Sequence, residues 1–334
     1  MYARAAVPSG RLISTLAIAF NPVNGKIYAV DQSGNSVCVI DGRTGSNTRV
    51  KVGSGPDAVA VNSVTGNVYV ANASAGTVSE LDGVTNLVTR TFKAGTHPYM
   101  LAVNDAAAKV YVSNTFSDSV AEIDLPTNST RFLKIGSADN IAVDSKRNHV
   151  FLIGYEDPNI RILKGAANLV NEVAAHEHLW GMAIDENTGR LYATGVGSSD
   201  VFAIDPVSGS AVRIPVGSIP CAVAVNAQTN LVYVANYGDD TVTVIDGKTE
   251  KAIAQIPVGS RPQAVAVDAR VNRVYVANTH GDSVTVIDGQ RNEALGTVAA
   301  GRNPYAISAG ADPKTVYVAN FGEPSFSSVR VDLR

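Results

Sequence analysis

One short phrase recurs eight times along this chain, and its spacing restricts the fold more than any other feature. It reads Lys-Ile-Tyr-Ala-Val around Tyr28, Val-Tyr-Val-Ala-Asn around Tyr69 and Val-Tyr-Val-Ser-Asn around Tyr111. Degenerate copies follow at Phe151 and Tyr192, and the Val-Tyr-Val-Ala-Asn form returns at Tyr233, Tyr275 and Tyr317. Successive copies lie 41, 42, 40, 41, 41, 42 and 42 residues apart. A unit of roughly 40–45 residues with several short strands is the mark of a propeller blade. The expected fold is therefore all-β: an eight-bladed β-propeller with four antiparallel strands per blade. A ring of repeats is one domain, here residues 1–334.

The repeat over Cys221–Gly259 shows the blade most clearly. Ala222–Asn226 is an apolar inner strand, Leu231–Ala235 the second and Thr241–Asp246 the third, with strict alternation. Gly247-Lys-Thr-Glu250 turns the chain into an outer strand, Lys251–Pro257. The last repeat ends one strand short, and residues 2–7 align with the missing outer strand. That strand is expected to complete the C-terminal blade and remove two exposed sheet edges.

Composition excludes several classes. Charged residues make up 17% of the chain, against about 25% in an average domain. With a net charge of −3 there is no electrostatic footprint for nucleic acid. No apolar run approaches the ~18 residues of a membrane span. Leu12–Phe20 resembles the apolar part of a signal peptide, but Leu16–Asn21 falls in register with the first strand of its repeat. Cys38 and Cys221 occupy different positions of different repeats, so no disulfide is expected.

The Tyr-Val-Ala-Asn tetrads at 69–72, 233–236, 275–278 and 317–320 resemble the YVTN β-propeller repeat. So do the Val-Thr-Val-Ile-Asp-Gly strings ending at Gly247 and Gly289. The chain is similar in this to YncE-like and archaeal surface-layer proteins. The resemblance specifies the blade and no chemistry. It implies extracytoplasmic residence, periplasmic or secreted. Relatives of this architecture include binding and surface proteins, lactonases with seven blades, and eight-bladed propellers that hold a haem or quinone. YncE-like proteins commonly have seven blades, so eight is a departure.

Strand alternation places the turns on two faces. One face repeats the same turn chemistry, as in Asn62-Ser-Val-Thr-Gly66. The other varies from blade to blade, and a site is expected there. Aligned on the start of each inner strand, one mouth position is filled by Leu16, Asp57, Tyr99, Asp139, Trp180, Cys221, Gln263 and Tyr305. Two residues earlier stand Ser14, Gly55, His97, Ser137, His178, Ile219, Arg261 and Asn303. Tyr99, Trp180 and Tyr305, with Tyr155, offer aromatic surface to a ligand, and Asp57 and Arg261 offer charge. Equally, the aromatic rings would cap the channel.

His97, Asp139, Glu156 and His178 gather on blades three to five and are the candidate catalytic set. His97, His176 and His178 are the candidate ligands of a divalent metal ion. Solvated loop histidines are the competing reading. Blades four and five also drop the Ala-Asn ending, and local departure from a repeat's own rule points to function.

Three functions stay open. The leading one is a binding propeller that takes a small molecule, peptide or protein at the channel mouth. The second is a metal-assisted hydrolase of lactone or ester type, and the third a structural surface module. Nothing in the sequence decides between enzyme and binder, names a ligand or sets the oligomeric state.

Overall fold

The computed structural model describes residues 17–331 apart from residues 116, 137, 155–156, 166–168, 176–177 and 322–325. Eight separate antiparallel sheets follow one another along the chain, each a meander of consecutive strands. Seven have four strands. The eighth has three among the described residues, and the expected strand over residues 2–7 lies outside them. The inner strands are Ile18–Phe20, Pro56–Val61, Pro98–Asn104, Asn140–Asp144, Leu179–Ile184, Pro220–Asn226, Pro262–Asp268 and Pro304–Ala309. Each packs beside the next, and the last packs beside the first, which closes the ring. The one helical element among the described residues is a 3-10 turn at Thr279–Gly281.

The hydrophobic core is divided into eight clusters, one at each blade interface. Alternation drives this, because successive side chains of a strand face opposite neighbours. Tyr28, Val37 and Val39 of blade one meet Val59, Val68, Val70 and Leu81 of blade two. Across the closure, Ile18, Ile27 and Ile40 meet Tyr305, Tyr317 and Ala319. The tetrad tyrosine serves these seams twice over. Its ring is buried, a contribution of about 2–3 kcal/mol for a large side chain, and in blades one, seven and eight its hydroxyl reaches the next blade. Tyr275 donates to the Pro313 carbonyl at 3.1 Å, and Tyr317 to the Gly42 carbonyl at 3.3 Å. The second bond joins residues 275 positions apart, so the seam between the chain ends is built like the others.

The tetrad asparagine has a separate task. Asn236 donates to the hydroxyls of Thr241 and Thr243 at 3.0 and 2.8 Å. Asn278 repeats the pattern with Ser283 and Thr285 at 3.1 and 2.9 Å, and Asn72 with Thr77 and Ser79 at 3.2 and 3.0 Å. A fully buried amide thus stitches the second strand to the third. The recurring Thr-Val-Thr is therefore a hydrogen-bonding pattern as well as a strand pattern.

Candidate ligand site at the channel mouth

Two backbone devices build the mouth. The first is a left-handed residue where the chain turns inward: Gly55, His97, Ile219, Arg261 and Asn303 have φ of 62°, 57°, 51°, 54° and 50°. The carbonyls of these residues accept from the first N–H beyond the second strand. The donors are Ala73, Thr115, Tyr237, Thr279 and Phe321, at 2.7–3.3 Å. In these blades the two mouth loops are thereby held as one unit.

The second device is a β-bulge. Pro56 pairs with Asn72 and Ala58 with Ala71, so Asp57 is the extra residue. Cys221, Gln263 and Tyr305 hold the same place in blades six to eight. The slip takes in Tyr99 with Met100 in blade three and Trp180 with Gly181 in blade five. A bulge bends the strand and re-aims a side chain, and here it carries the residue that varies from blade to blade. Blade four differs: Asn140 and Ile141 pair with Ile153 and Leu152 in unbroken register, beside Asp139.

Asp57, Tyr99 and Tyr305 are nearly buried, at 7%, 7% and 9% exposure. Asp57 accepts a short hydrogen bond from the Gln32 amide of blade one. Burial raises the Tyr99 hydroxyl pKa well above its ordinary value, and the charges of Asp57 and then Asp139 add to the shift. Burial, then Asp57, pushes Tyr305 up to about 12. Asp57 therefore stands within electrostatic reach of tyrosines on both sides, from blade three and from blade eight. Tyr305 also packs on Phe321 with ring centroids 4.5 Å apart.

Beside Tyr305, blades six and seven bring an arginine and aromatic rings to the mouth. The Arg261 guanidinium lies over the Tyr237 ring, 5.0 Å from its centroid, and donates to the Tyr237 carbonyl at 3.2 Å. Its own backbone N–H is held by Asp240 Oδ1 at 2.7 Å. Among the described residues Arg261 makes no ion pair with Asp57 or Asp139. Exposed His280 meets the edge of Tyr237 at 6.1 Å. Gln263 Oε1 accepts from Thr279 at 3.0 Å.

The remaining candidates divide. His97 is half-buried and His178 exposed, and the His178 carbonyl accepts from Val196 at 3.0 Å. Tyr155, Glu156 and His176 lie outside the described residues. Among the described residues no three His, Cys, Asp or Glu side chains come together as a metal site. Cys221 is no exposed thiol: burial pushes its pKa to about 12, and it donates to the Pro262 carbonyl at 3.2 Å. Neither cysteine is in a disulfide. His149 sits at the far end of blade four, opposite Asp144, as its place in the repeat implies.

The irregular blades have a structural explanation. In blade four Gly154 replaces the asparagine, and Arg161 stands where blades two, six, seven and eight have Ser79, Thr243, Thr285 and Ser327. Its guanidinium lies against Gly136 and donates to the Ile135 carbonyl, and it pairs with Asp157. In blade five Gly195 is matched by Phe202, whose ring lies against it. Both blades exchange the amide–hydroxyl pair for a glycine and one large side chain.

Sequence reasoning passed over a second ring of mouth residues, those immediately after the tetrad: Gln32, Tyr237, Thr279 and Phe321. The signal was present, because Tyr155 was singled out at that same position in blade four. Applied around the ring, the tetrad plus one would have identified them all.

Against known proteins, no curated sequence matches the chain. Among solved structures, the dihydro-heme d1 dehydrogenase NirN in complex with DHE superposes with a TM-score of 0.78 at 16% identity, over 99% of this chain and 75% of that one. Hydrazine synthase of Kuenenia stuttgartiensis gives 0.66 at 18% identity, with both chains covered in full. Virginiamycin B lyase from Staphylococcus aureus gives 0.65 at 12% identity, over 81% of this chain and 94% of that one. At such identities the likeness is one of fold. A family model for YncE-like β-propellers matches residues 53–323. With its repeat, its ring of blades and this match over most of its length, the chain belongs to the YncE-like β-propeller family.

Proposed function

We propose that this chain is a binding propeller whose mouth holds a small molecule. One observation carries the reading: in six blades a β-bulge re-aims the one inner-strand residue that varies most. A repeat that only built a wall would have no need to present Asp, Tyr, Trp, Cys, Gln and Tyr at equivalent places. Tyr99, Trp180 and Tyr305 supply apolar surface, while Asp57 of blade two and Arg261 of blade seven supply opposite charges. Tyr155 belongs to the same set by its position in the repeat. The NirN neighbour, solved with DHE bound, supports small-molecule binding by a propeller of this shape.

The hydrolase alternative rests on His97, Asp139, Glu156 and His178 acting together, with His176 as a further metal ligand. No observation among the described residues favours it over binding. Calorimetric titration with a panel of aromatic, charged and sugar-like compounds tests the proposal. A saturable ligand should lose roughly tenfold in affinity with Tyr99→Ala or Trp180→Ala, as removal of a buried aromatic contact does. Binding that is indifferent to both substitutions contradicts it.

A further inference from the structure

Away from the mouth, the outer strands of the blades form the rim of the ring. In seven blades the fourth strand is the last of its sheet, so alternate N–H and C=O groups along it face outward without a ladder partner. One register position on these strands is polar in six blades, where it holds Arg49, Thr91, Glu172, Arg213, Gln255 and Thr297. In blade three the same position is Phe132, which is 46% exposed.

Phe132 pairs with Ala121, a member of the core cluster that also contains Phe92 of blade two. Cross-strand partners lie on one face of a sheet, so Phe132 looks toward blade two. There it and Phe92 line a groove of about 270 Å³ between the two outer strands, with Thr91, Lys93, Asn128 and Thr130. The groove is smaller than the roughly 300–1,000 Å³ of a pocket for a drug-sized ligand, and it suits a single side chain. None of its lining residues is acidic. Lys93 and Lys134 are exposed, and among the described residues neither makes an ion pair. Lys134 lies two residues beyond Phe132 and so on the same strand face. The arginines of these strands, Arg90 and Arg131, are engaged by Glu80 and Glu122. Lysines alone are the ordinary guard of an open edge; a half-exposed phenylalanine among them is not.

We infer that the seam between blades two and three docks an extended, acidic peptide segment of a partner protein. The segment adds a strand to the Ser129–Lys134 edge and seats one apolar side chain between Phe92 and Phe132. Its carboxylates lie against Lys93 and Lys134. In this mode main-chain hydrogen bonds give affinity, while the pocket and the charges give selectivity.

The full chain is titrated with fluorescein-labelled hexapeptides in which a central Phe, Tyr, Leu or Val is flanked by Thr and then Glu. Counterpart sets carry Lys in place of Glu, or an N-methylated backbone. At least one acidic peptide should saturate, and bind tenfold or more tightly than its lysine and N-methyl counterparts. Phe132→Thr should lose tenfold in affinity, and so should a Lys93→Glu/Lys134→Glu double variant. Threonine already stands at this register in blades two and seven, so the first variant should fold, and circular dichroism melting checks both. Hydrogen exchange should show new protection over residues 129–134 in the complex. A Tyr99→Ala/Trp180→Ala double variant should leave peptide affinity unchanged, which separates this rim site from the mouth. Failure of the whole acidic set to bind, equal binding of the lysine peptides, indifference to Phe132→Thr, or loss of binding in the mouth variant overturns the inference.

Discussion

Gly259 lies flat against the side-chain amide of Asn278, so closely that a β-carbon on Gly259 would meet Nδ2 at 2.5 Å. Gly53 and Asn72, Gly217 and Asn236, and Gly301 and Asn320 stand in the same relation. The glycine that precedes these inner strands is thus required by contact, since the asparagine, Asn278 for example, is fully buried and has nowhere to go. Gly259→Ala should destabilise the ring by about 1–3 kcal/mol, the usual cost of overpacking. Denaturant titration beside the wild type measures it; an unchanged midpoint contradicts the packing argument.

Asn236→Ala removes the other half of such a unit. Two side-chain hydrogen bonds are lost, and the Thr243 hydroxyl is left buried. At about 1 kcal/mol for each bond, plus the orphaned hydroxyl, the expected loss is about 2–3 kcal/mol. Adding Thr243→Val to Asn236→Ala should recover part of it. A double-mutant cycle with no coupling would show that the stitch contributes nothing.

Ile219 is a β-branched residue in the left-handed region, φ 51°, at the place where blade two has Gly55. That conformation costs a non-glycine residue about 1–2 kcal/mol. Ile219→Gly should therefore be neutral or stabilising by up to about 1 kcal/mol, after the entropy of the more flexible unfolded chain is counted. A large loss of stability would mean that the Ile219 side chain matters more than its backbone.

Stability should fall at both ends of the pH scale. Backbone N–H groups of Thr44, Thr85 and Val207 donate to Asp41, Asp82 and Asp205 and hold these carboxyls below their ordinary 3.8. Because the folded pKa is the lower one, their stabilisation is complete above the unfolded value and is lost as pH falls through the folded values. Tyr233, Tyr275 and Tyr305 behave oppositely: burial raises them from 10.0 to about 12. Their stabilisation is complete below pH 10 and drains away as pH rises from there to about 12. Denaturant midpoints across both windows test the signs. A midpoint that rose on acidification from about pH 4 would reverse the acid argument.

The Cys221 thiol, pushed to about 12 from an ordinary 9.0, holds roughly a thousandfold less thiolate than an exposed cysteine at neutral pH. Maleimide should label it at a measurable rate only after unfolding. Fast native labelling mapped to Cys221 by peptide mass would contradict its buried, hydrogen-bonded state.

Much of the architecture was legible in the sequence. The tetrad spacing gives eight blades because each copy is a second strand in a fixed place, and Tyr317 closing on Gly42 requires what the arithmetic implies. The mouth position was legible too, since register carries Asp57, Tyr99 and Tyr305 to one level. Three things were not. A bulge leaves no mark on composition, so nothing told that Asp57 would be turned by one. The part played by Gly259 depends on an amide some twenty residues away. The lost Ala-Asn ending of blades four and five reads in the sequence as a departure with functional meaning; in the structure Gly154 and Arg161 together stand where blade six has Asn236 and Thr243. Compensation between positions is visible only when the positions touch.

The most direct test of the central claim, that the mouth holds a small molecule, is native mass spectrometry of protein isolated from the cells that make it. Wild type is compared with a Tyr99→Ala/Trp180→Ala double variant of unchanged melting behaviour. The account predicts a bound mass on the wild type that the variant lacks. Equal bound masses on both, or affinity panels that find no ligand for a wild type isolated bare, would contradict it.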